Sequence, residues 1–483
     1  MTLPAGLIEA ITSLVGERGV VTDPADMPPY LTEERGLYRG VSSLVVRPAS
    51  TAEAAGVVAL CAVAGVPIVP QGGNTGLVGG GVPRETGEEI VLATRRLNRI
   101  RDLDPVNHTM TVEAGCILAD IRRVADEAGC LFPLSLAAEG TCQIGGNIAS
   151  NAGGLEVLRY GTMRDLVLGL EVVLPDGRVW DGLRGLAKDN TGYALKHLFI
   201  GAEGTLGLVT AAVLKLFPKP RDVQTALCGI ERVEDVLGLL SRARSLSGDA
   251  VSAFELIPRI GLDFVTRHIP GTSDPMESPH PWYVLLELST SSPAARLREA
   301  FEALLSEAFE AGEIADAVIA ESLDQTAGLW RLRETLPESQ KHEGGSIKHD
   351  VAVPVSRVPQ FLHRATTAVE AAMPGVRVCA FGHVGDGNIH FNLSQPEGVD
   401  KAAFLARWEP MNRLVHDIVA DLGGSFSAEH GIGRLKLGEM ARHKSAVELD
   451  LMRRVKQALD PAGLMNPGKV IPQVNAVSGD EAV

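Results

Sequence analysis

The length, composition and charge of the chain exclude several classes of protein. Its 483 residues suggest about two or three domains, and an apolar fraction of 45% with a charged fraction of 22% is ordinary for a globular protein. A net charge of −15 without a long basic run argues against nucleic acid or an anionic membrane surface as partner.

Cysteine usage and the N-terminus predict the compartment. The six cysteines are scattered and contain no CxxC pair, which favours free thiols in a reducing compartment. Residues 1–20 lack the pattern of a signal peptide, and no apolar run reaches the ~18 residues that a membrane span needs. We therefore expect a soluble, cytoplasmic protein without a membrane span.

The first 220 residues alternate short strands, helices and glycine-rich segments. Residues 50–53 are expected to begin a helix, because Thr51 can cap it and apolar residues follow at helical spacing. We predict strands at 44–48, 66–70, 90–92, 109–112 and 208–218, and helices at 50–64 and 118–128.

The composition changes after Pro220, and the pattern there predicts a second domain. Strand-like and helix-like segments alternate over 222–400, which is typical of an antiparallel sheet with helices on one face. Residues 401–472 are mainly helical in pattern. The predicted fold class is α+β, with domains at 1–220 and 221–425, a C-terminal helical segment at 426–472 that returns to the first domain, and a tail at 473–483.

A glycine-rich segment at 70–81 follows a predicted strand at once. Glycine lets the backbone approach a phosphate closely, and successive N–H groups form a nest for an anion. The spacing is neither GxGxxG nor GxxxxGK[ST], which excludes a Rossmann site and a P-loop. By itself, the segment is equally compatible with a mobile surface turn.

Two further glycine-rich segments, 140–154 and 201–207, mix glycine with hydroxyl and amide side chains. Such residues suit a flat, polar ring system packed against backbone. Three segments of this kind in one region favour a dinucleotide site over surface turns.

Together with 165–177, these segments resemble the FAD-binding domain of the vanillyl-alcohol-oxidase and para-cresol-methylhydroxylase (PCMH) superfamily, over about residues 40–220. The resemblance implies a PCMH-type FAD-binding domain. Some members attach FAD through a histidine in the first segment, and because Asn74 stands there, it implies non-covalent FAD. The FAD contacts that the resemblance implies are Pro70, Gln71, Gly72, Gly73, Asn74, Thr75, Gly76, Leu77, Ser135, Gly140, Thr141, Gly145, Gly146, Asn147, Asn151, Gly153, Glu203, Gly204, Val209 and Asn466.

Residues 379–393 predict a β-hairpin that carries two histidines. Residues 385–388 are typical of a turn, and a four-residue loop there sets His383 directly opposite His390, with Asn392 on the same face. Two neutral imidazoles at such a short distance from each other suit a divalent metal. The alternatives are a polar sheet face and core histidines with satisfied hydrogen bonds.

The segment 427–433 offers a carboxylate, Glu429, beside His430. It is also typical of a helix N-terminus that Ser427 caps. Two histidines and a glutamate leave coordination positions open, which marks a catalytic site, and the set suits zinc as well as non-haem iron.

Arg333 and Lys348 are candidates for binding carboxylates, since arginine can do so through two parallel hydrogen bonds. The alternative for each is a solvated surface charge.

Together these features resemble the D-2-hydroxy-acid dehydrogenase branch of the superfamily, including enzymes of D-2-hydroxyglutarate, over nearly the whole chain. The resemblance implies a second, α+β substrate cap domain. It implies His430 as catalytic base and two sets of ligands: His383, His390 and Glu429 for the metal, and Arg333, Lys348, Asn392 and His430 for the substrate. We expect a divalent metal, with zinc as the first candidate. Hydroxyglutarate enzymes can carry a threonine four residues after the arginine, whereas Pro337 stands here, with Thr335 and Ser339 as possible substitutes.

The expected reaction is hydride transfer from a D-2-hydroxy acid, such as D-2-hydroxyglutarate or a D-malate- or D-lactate-like acid, to FAD. The resemblance implies an electron acceptor such as an electron-transfer flavoprotein, and we expect a homodimer. The alternatives are a flavin oxidase and a glycolate- or lactate-oxidising subunit of a larger complex.

Overall fold

The protein is described by a computed structural model that covers residues 3–4, 6–293 and 296–473. The described chain divides into two compact units. The first comprises residues 3–154, 160–219 and 429–473, and the second comprises 155–159 and 220–428. Of the predicted tail, all but Gln473 lies outside the described residues.

The first part of the chain contains short elements joined by long loops. Its helices are α1 (Leu7–Val15), α2 (Pro28–Leu31), α3 (Thr51–Ala64), α4 (Leu118–Glu127), α5 (Ile144–Ala149), α6 (Val157–Tyr160), α7 (Met163–Leu166) and α8 (Lys196–Phe199). Its strands are β1 (Val20–Val21), β2 (Val45–Val46), β3 (Ile68–Gln71), β4 (Ile90–Ala93), β5 (Ile100–Asp104), β6 (Thr109–Glu113), β7 (Cys130–Leu131), β8 (Val167–Val173), β9 (Val179–Gly182), β10 (Leu208–Lys215) and β11 (Phe217–Pro218).

The second part has longer elements. Its strands are β12 (Asp222–Ile230), β13 (Val251–Pro258), β14 (Trp282–Thr290), β15 (Asp316–Ile319), β16 (Ser346–Ala352), β17 (Arg377–Phe381) and β18 (Asn388–Ser394). Its helices are α9 (Asp235–Ser247), α10 (Arg259–His268), α11 (Leu297–Glu310), α12 (Leu323–Glu334), α13 (Leu336–Ser339), α14 (Val358–Ala372), α15 (Lys401–Leu405) and α16 (Trp408–Asp421), followed by α17 (Leu437–His443) and α18 (Ala446–Leu459).

The first unit is built on two larger sheets. Strands β1, β2, β4 and β3 form one, in that order, with parallel pairing between β2, β4 and β3. Strands β5, β6, β10, β8 and β9 form the other, which is antiparallel. The predicted strand at 208–218 is divided, because the chain leaves β10 after Lys215 and pairs again as β11 with β7.

Helix α3 shows how the local sequence sets an element of this unit. The Ser50 side chain accepts a hydrogen bond from the Glu53 backbone N–H, so Ser50, and not the predicted Thr51, is the cap. Gly65 ends the helix in the left-handed conformation. The helix leads into β3, and the first glycine-rich segment begins where β3 ends.

The second unit contains two antiparallel sheets among its described residues, ordered β13-β14-β12-β15 and β16-β18-β17. Apolar residues of both sheets and of α9, α11, α14 and α16 share one buried core. The predicted α+β class, with an antiparallel second domain, is confirmed. No helix in the described part of the chain combines the length and apolar character needed to cross a membrane.

Candidate functional site

The three glycine-rich segments come together around one pocket in the first unit. Gln71 organises the first segment, because its side-chain Nε2 donates hydrogen bonds to the carbonyls of Tyr30 at 2.8 Å and Gly81 at 2.7 Å. The predicted cofactor residues that line the pocket are Pro70, Gln71, Gly72, Gly73, Asn74, Thr75, Gly76, Gly145, Gly146, Asn147, Glu203, Gly204 and Val209.

Glycines in these segments serve two different purposes. A Cβ at Gly73 would lie 2.3 Å from the Thr141 carbonyl oxygen, and one at Gly145 would lie 2.7 Å from the Ala114 Cβ, so these positions let segments pack closely. Gly76 and Gly146 instead have no heavy atom of the described chain within 4 Å of such a Cβ. Their bare backbone leaves room in the pocket that a side chain would fill.

The pocket fits the phosphates of a dinucleotide. The backbone N–H groups of residues 73–76 donate to no other backbone group within the described residues. Neither lysine nor arginine is among the residues described as lining the pocket, so backbone N–H groups and neutral side chains such as that of Thr75 are the donors available to a phosphate.

Seven predicted FAD contacts are not among the residues that line the pocket: Leu77, Ser135, Gly140, Thr141, Asn151, Gly153 and Asn466. The Asn466 side chain binds the carbonyls of Gly80 and Glu203 at 3.0 and 2.7 Å, which holds two segments together. All twenty residues, whether they line the pocket or not, stay predictions as FAD contacts. Sequence reasoning missed the lining residues Glu33 and Gln143, whose side chains carry no motif of their own.

His430 lines the same pocket, in a segment that Glu203 anchors. The Glu203 carboxylate accepts hydrogen bonds from the backbone N–H groups of Ile432 at 2.7 Å and Gly433 at 2.8 Å. Burial raises the pKa of Glu203, and these two hydrogen bonds oppose that shift. The alternative of a helix N-terminus here is wrong, since the next helix, α17, begins only at Leu437.

In the second unit, the two faces of strand β18 lie in different environments. One face carries Ile389, Phe391 and Leu393, which are fully buried in the core. On the other face lie His390 and Asn392, which pair with Asp350 and Lys348 of β16. The sheet therefore brings together one predicted metal ligand and two predicted substrate contacts.

The predicted register of the hairpin is wrong. Phe381 lies opposite His390, and β17 ends there, because Gly382 pairs with Leu256 of β13 instead of continuing the hairpin. His383 belongs to a six-residue loop, 382–387. Its imidazole nevertheless lies close to that of His390, with ring centroids 5.5 Å apart.

Arg333 is only 5% exposed, which excludes the alternative of a solvated surface charge. Its guanidinium carbon lies 4.9 Å from the Phe381 ring centroid, next to the polar face. Its Nε donates to Glu255 Oε2 at 2.8 Å, and the other oxygen of Glu255 lies 2.6 Å from His383 Nδ1. Burial raises the pKa of Glu255, but His383 and Arg333 outweigh it and lower the pKa to about 2.

Glu255 and Gln340 are polar residues of this site that sequence reasoning missed. Gln340 Oε1 accepts a hydrogen bond from Asn392 at 3.0 Å. Both are almost fully buried, and the signal for Glu255 is that it is the one charged residue of the mainly apolar strand β13.

The hydroxyls at the positions proposed to replace a threonine have local partners. Thr335 donates to the Arg331 carbonyl at 2.7 Å, and Ser339 donates to the Leu336 carbonyl at 2.9 Å. Pro337 is exposed on α13.

Comparisons with known proteins match both parts of the chain. Residues 42–182 match the family model of an FAD binding domain, and residues 219–470 match the C-terminal domain of FAD linked oxidases. The chain is 38% identical to the mitochondrial D-2-hydroxyglutarate dehydrogenase of Arabidopsis thaliana, over 95% of the chain and 80% of that protein. It is 36% identical to a D-2-hydroxyglutarate–pyruvate transhydrogenase of Saccharomyces cerevisiae, over 93% of the chain and 90% of that protein.

A solved structure with a similar fold is p-cresol methylhydroxylase with substrate bound, at a TM-score of 0.75 and 16% identity, over 97% of each chain. At this identity the likeness shows the fold alone. It confirms the PCMH-type fold that the sequence predicted.

Proposed function

The chain belongs to the FAD-linked oxidase family, as a flavin-dependent oxidoreductase of its D-2-hydroxy-acid dehydrogenase branch, and from this we propose that it oxidises a D-2-hydroxy acid to the 2-oxo acid. The reaction removes the C2 hydrogen as a hydride and the hydroxyl hydrogen as a proton. D-2-Hydroxyglutarate is the proposed substrate, with D-malate- and D-lactate-like acids as the alternatives.

The observation that carries the proposal is the polar face of the β16–β18 sheet. Lys348, Asn392 and His390 share this face by register, and the buried Arg333 guanidinium adjoins it at Phe381. Arg333 and Lys348 supply cations in a chain whose net charge is −15, and such cations suit an acid with carboxylates. Asn392 adds an amide that can bind the substrate oxygens.

We propose a divalent metal, with zinc as the first candidate, on His383, His390 and Glu429. The donor set fits, because two imidazoles lie close together and a carboxylate holds Nδ1 of one of them. Glu429 directly follows Ala428, whose backbone N–H donates to the Asp350 carbonyl at 3.2 Å.

The bound FAD would supply the hydride acceptor, and a metal held by His383, His390 and Glu429 would supply a Lewis acid for the substrate hydroxyl. His430 takes the hydroxyl proton as general base, and the segment held by Glu203 keeps its imidazole at the pocket that FAD fits. Arg333 and Lys348 bind carboxylate and thereby select which face of C2 is presented. Because Asn74 stands where some members carry a histidine, we propose that acid precipitation releases the FAD intact.

The test is a screen of the D and L forms of lactate, malate and 2-hydroxyglutarate, with glycolate, read by bleaching of oxidised flavin. We expect bleaching by a D acid and little by its L form. Arg333→Met should raise KM roughly 10- to 100-fold, as expected for a lost charged hydrogen bond. Arg331→Met, on an exposed neighbour in the same helix, should leave KM unchanged. Bleaching by none of these acids would contradict the proposal.

The acceptor that reoxidises the reduced flavin distinguishes the proposed dehydrogenase from an oxidase and from a subunit of a larger complex. Fast reoxidation of the reduced flavin by air identifies an oxidase, and failure of the purified chain to turn over with an artificial acceptor identifies a subunit of a larger complex. The transhydrogenase relative supports 2-oxo acids as a further acceptor to assay. An electron-transfer flavoprotein as acceptor, a homodimer and a cytoplasmic location stay predictions.

A further inference from the structure

Glu255 joins the metal-binding and substrate-binding parts of the second unit. It lies on β13 and is 1% exposed, and each carboxylate oxygen serves a different side chain. Oε1 lies 2.6 Å from His383 Nδ1, and Oε2 accepts from Arg333 Nε at 2.8 Å. Neither the sequence motifs nor the family comparisons assign a role to this residue.

A glutamate on the neighbouring strand has a different set of partners. Glu287 on β14 is half-buried, and its carboxylate accepts hydrogen bonds from three neutral groups, on Thr225, Ser252 and Trp330. Glu255 instead binds two groups for which we propose functions. A buried carboxylate is costly unless it is paired and hydrogen-bonded, and here the pairing also orients its partners.

We propose that Glu255 is a positioning residue that sets the tautomer of His383 and the direction of the Arg333 guanidinium. This inference rests on the proposed function of those two residues. A carboxylate beside Nδ1 requires the proton there, which leaves the Nε2 lone pair available for a metal ion. The same carboxylate holds Arg333 through Nε and leaves its terminal amino groups for substrate.

A glutamine at position 255 cannot serve both partners. Its single carbonyl oxygen can accept from Arg333 or from His383, and its amino group is a donor. If the carbonyl accepts the hydrogen bond from Arg333, the amino group faces His383 Nδ1. It then favours the other tautomer of His383, in which Nε2 carries the proton. If the carbonyl keeps His383, Arg333 loses its acceptor. At least one of the two functions is therefore impaired.

The experiment compares Glu255→Gln with the matched control Glu287→Gln in the FAD-loaded protein. After removal of metal, zinc affinity is measured by competition with a chelator, and KM and kcat for the acid found in the screen are measured separately. For Glu255→Gln we expect zinc affinity to fall roughly 10- to 100-fold, KM to rise, or both. Glu287→Gln should keep both values within about twofold. Unchanged zinc affinity and unchanged KM in Glu255→Gln would overturn the proposal.

A second measurement needs neither metal nor substrate. In the metal-free parent protein, nitrogen NMR of labelled histidines, assigned with a His383→Gln variant, should show the His383 proton on Nδ1. A neutral ring that carries its proton on Nε2 and none on Nδ1 would overturn the proposal even if Glu255→Gln fails to fold. If the parent binds no zinc but shows the Nδ1 proton, the proposed metal fails while the positioning role of Glu255 stands.

Discussion

The Glu203 carboxylate accepts a hydrogen bond from the Ile432 backbone N–H at 2.7 Å and so joins the third glycine-rich segment to the segment that carries His430. The Gly433 backbone N–H donates a second hydrogen bond to the same carboxylate at 2.8 Å. Gly431, which lies between His430 and Ile432 in the chain, has a φ of +78°, and a Cβ there would lie 2.7 Å from Glu203 Oε1. The position of the proposed base thus depends on a side chain 227 residues earlier in the chain.

The first prediction concerns this attachment. Glu203→Gln replaces one acceptor by an amino group that faces a backbone N–H, and an unpaired donor of this kind costs about 1–3 kcal/mol. We expect kcat to fall roughly 10-fold or more while most of the flavin is retained, as measured by steady-state kinetics and flavin absorbance. Glu85→Gln, which removes an exposed partner of Arg434 in the same segment, is the control. Full kcat in Glu203→Gln would show that the attachment is dispensable.

The second prediction separates the two kinds of glycine in α5. Gly146→Val adds a side chain in open space at the pocket, so we expect lower FAD affinity with little change in the melting temperature of the FAD-free protein. Gly145→Ala places a Cβ 2.7 Å from the Ala114 Cβ, and such overpacking costs about 1–3 kcal/mol, so that variant should melt earlier. Equal effects of both substitutions on FAD affinity and on melting would contradict this distinction.

The third prediction tests the metal. His383→Ala should remove bound zinc and reduce turnover by orders of magnitude, while FAD remains bound because the FAD pocket is lined by residues of the first unit. Metal content is measured by elemental analysis and FAD by absorbance. The control His363→Ala removes an exposed histidine of α14 that pairs with Glu234. Retained turnover in metal-free His383→Ala would refute the metal role.

The fourth prediction concerns pH and a buried lysine. Burial lowers the pKa of Lys469 from 10.5 to about 8, and its ammonium nitrogen has no hydrogen-bond partner among the described residues. Because the unfolded state holds the proton more tightly, folding stability from this group is greatest above pH 10.5 and is lost as pH falls through about 8. At neutral pH the charged lysine then costs up to about 3 kcal/mol.

Lys469→Met should therefore raise the urea midpoint at neutral pH and remove the gain in stability that the parent shows between pH 8 and 10. Lys188→Met, at an exposed position, should change neither. A lower midpoint for Lys469→Met at neutral pH would mean that the ammonium has a stabilising partner in the folded protein.

The sequence by itself determined the cofactor class and the fold class. Glycine-rich segments after short strands are a local signal, because close approach of backbone to phosphate needs particular residue types in consecutive positions. The alternation along β18 likewise placed His390 and Asn392 on one face, since side chains on a strand change face at every residue.

Only the tertiary structure decided the hairpin register, the role of Glu203 and the existence of the Glu255 pairing. Alternation fixes a face but not a loop length, and β17 ends early because Gly382 pairs with Leu256, a residue 126 positions earlier in the chain. Glu255 contacts His383 and Arg333, which lie 128 and 78 positions later in the chain. Such contacts depend on how strands far apart in sequence pack together, and a local pattern of residue types does not predict that packing.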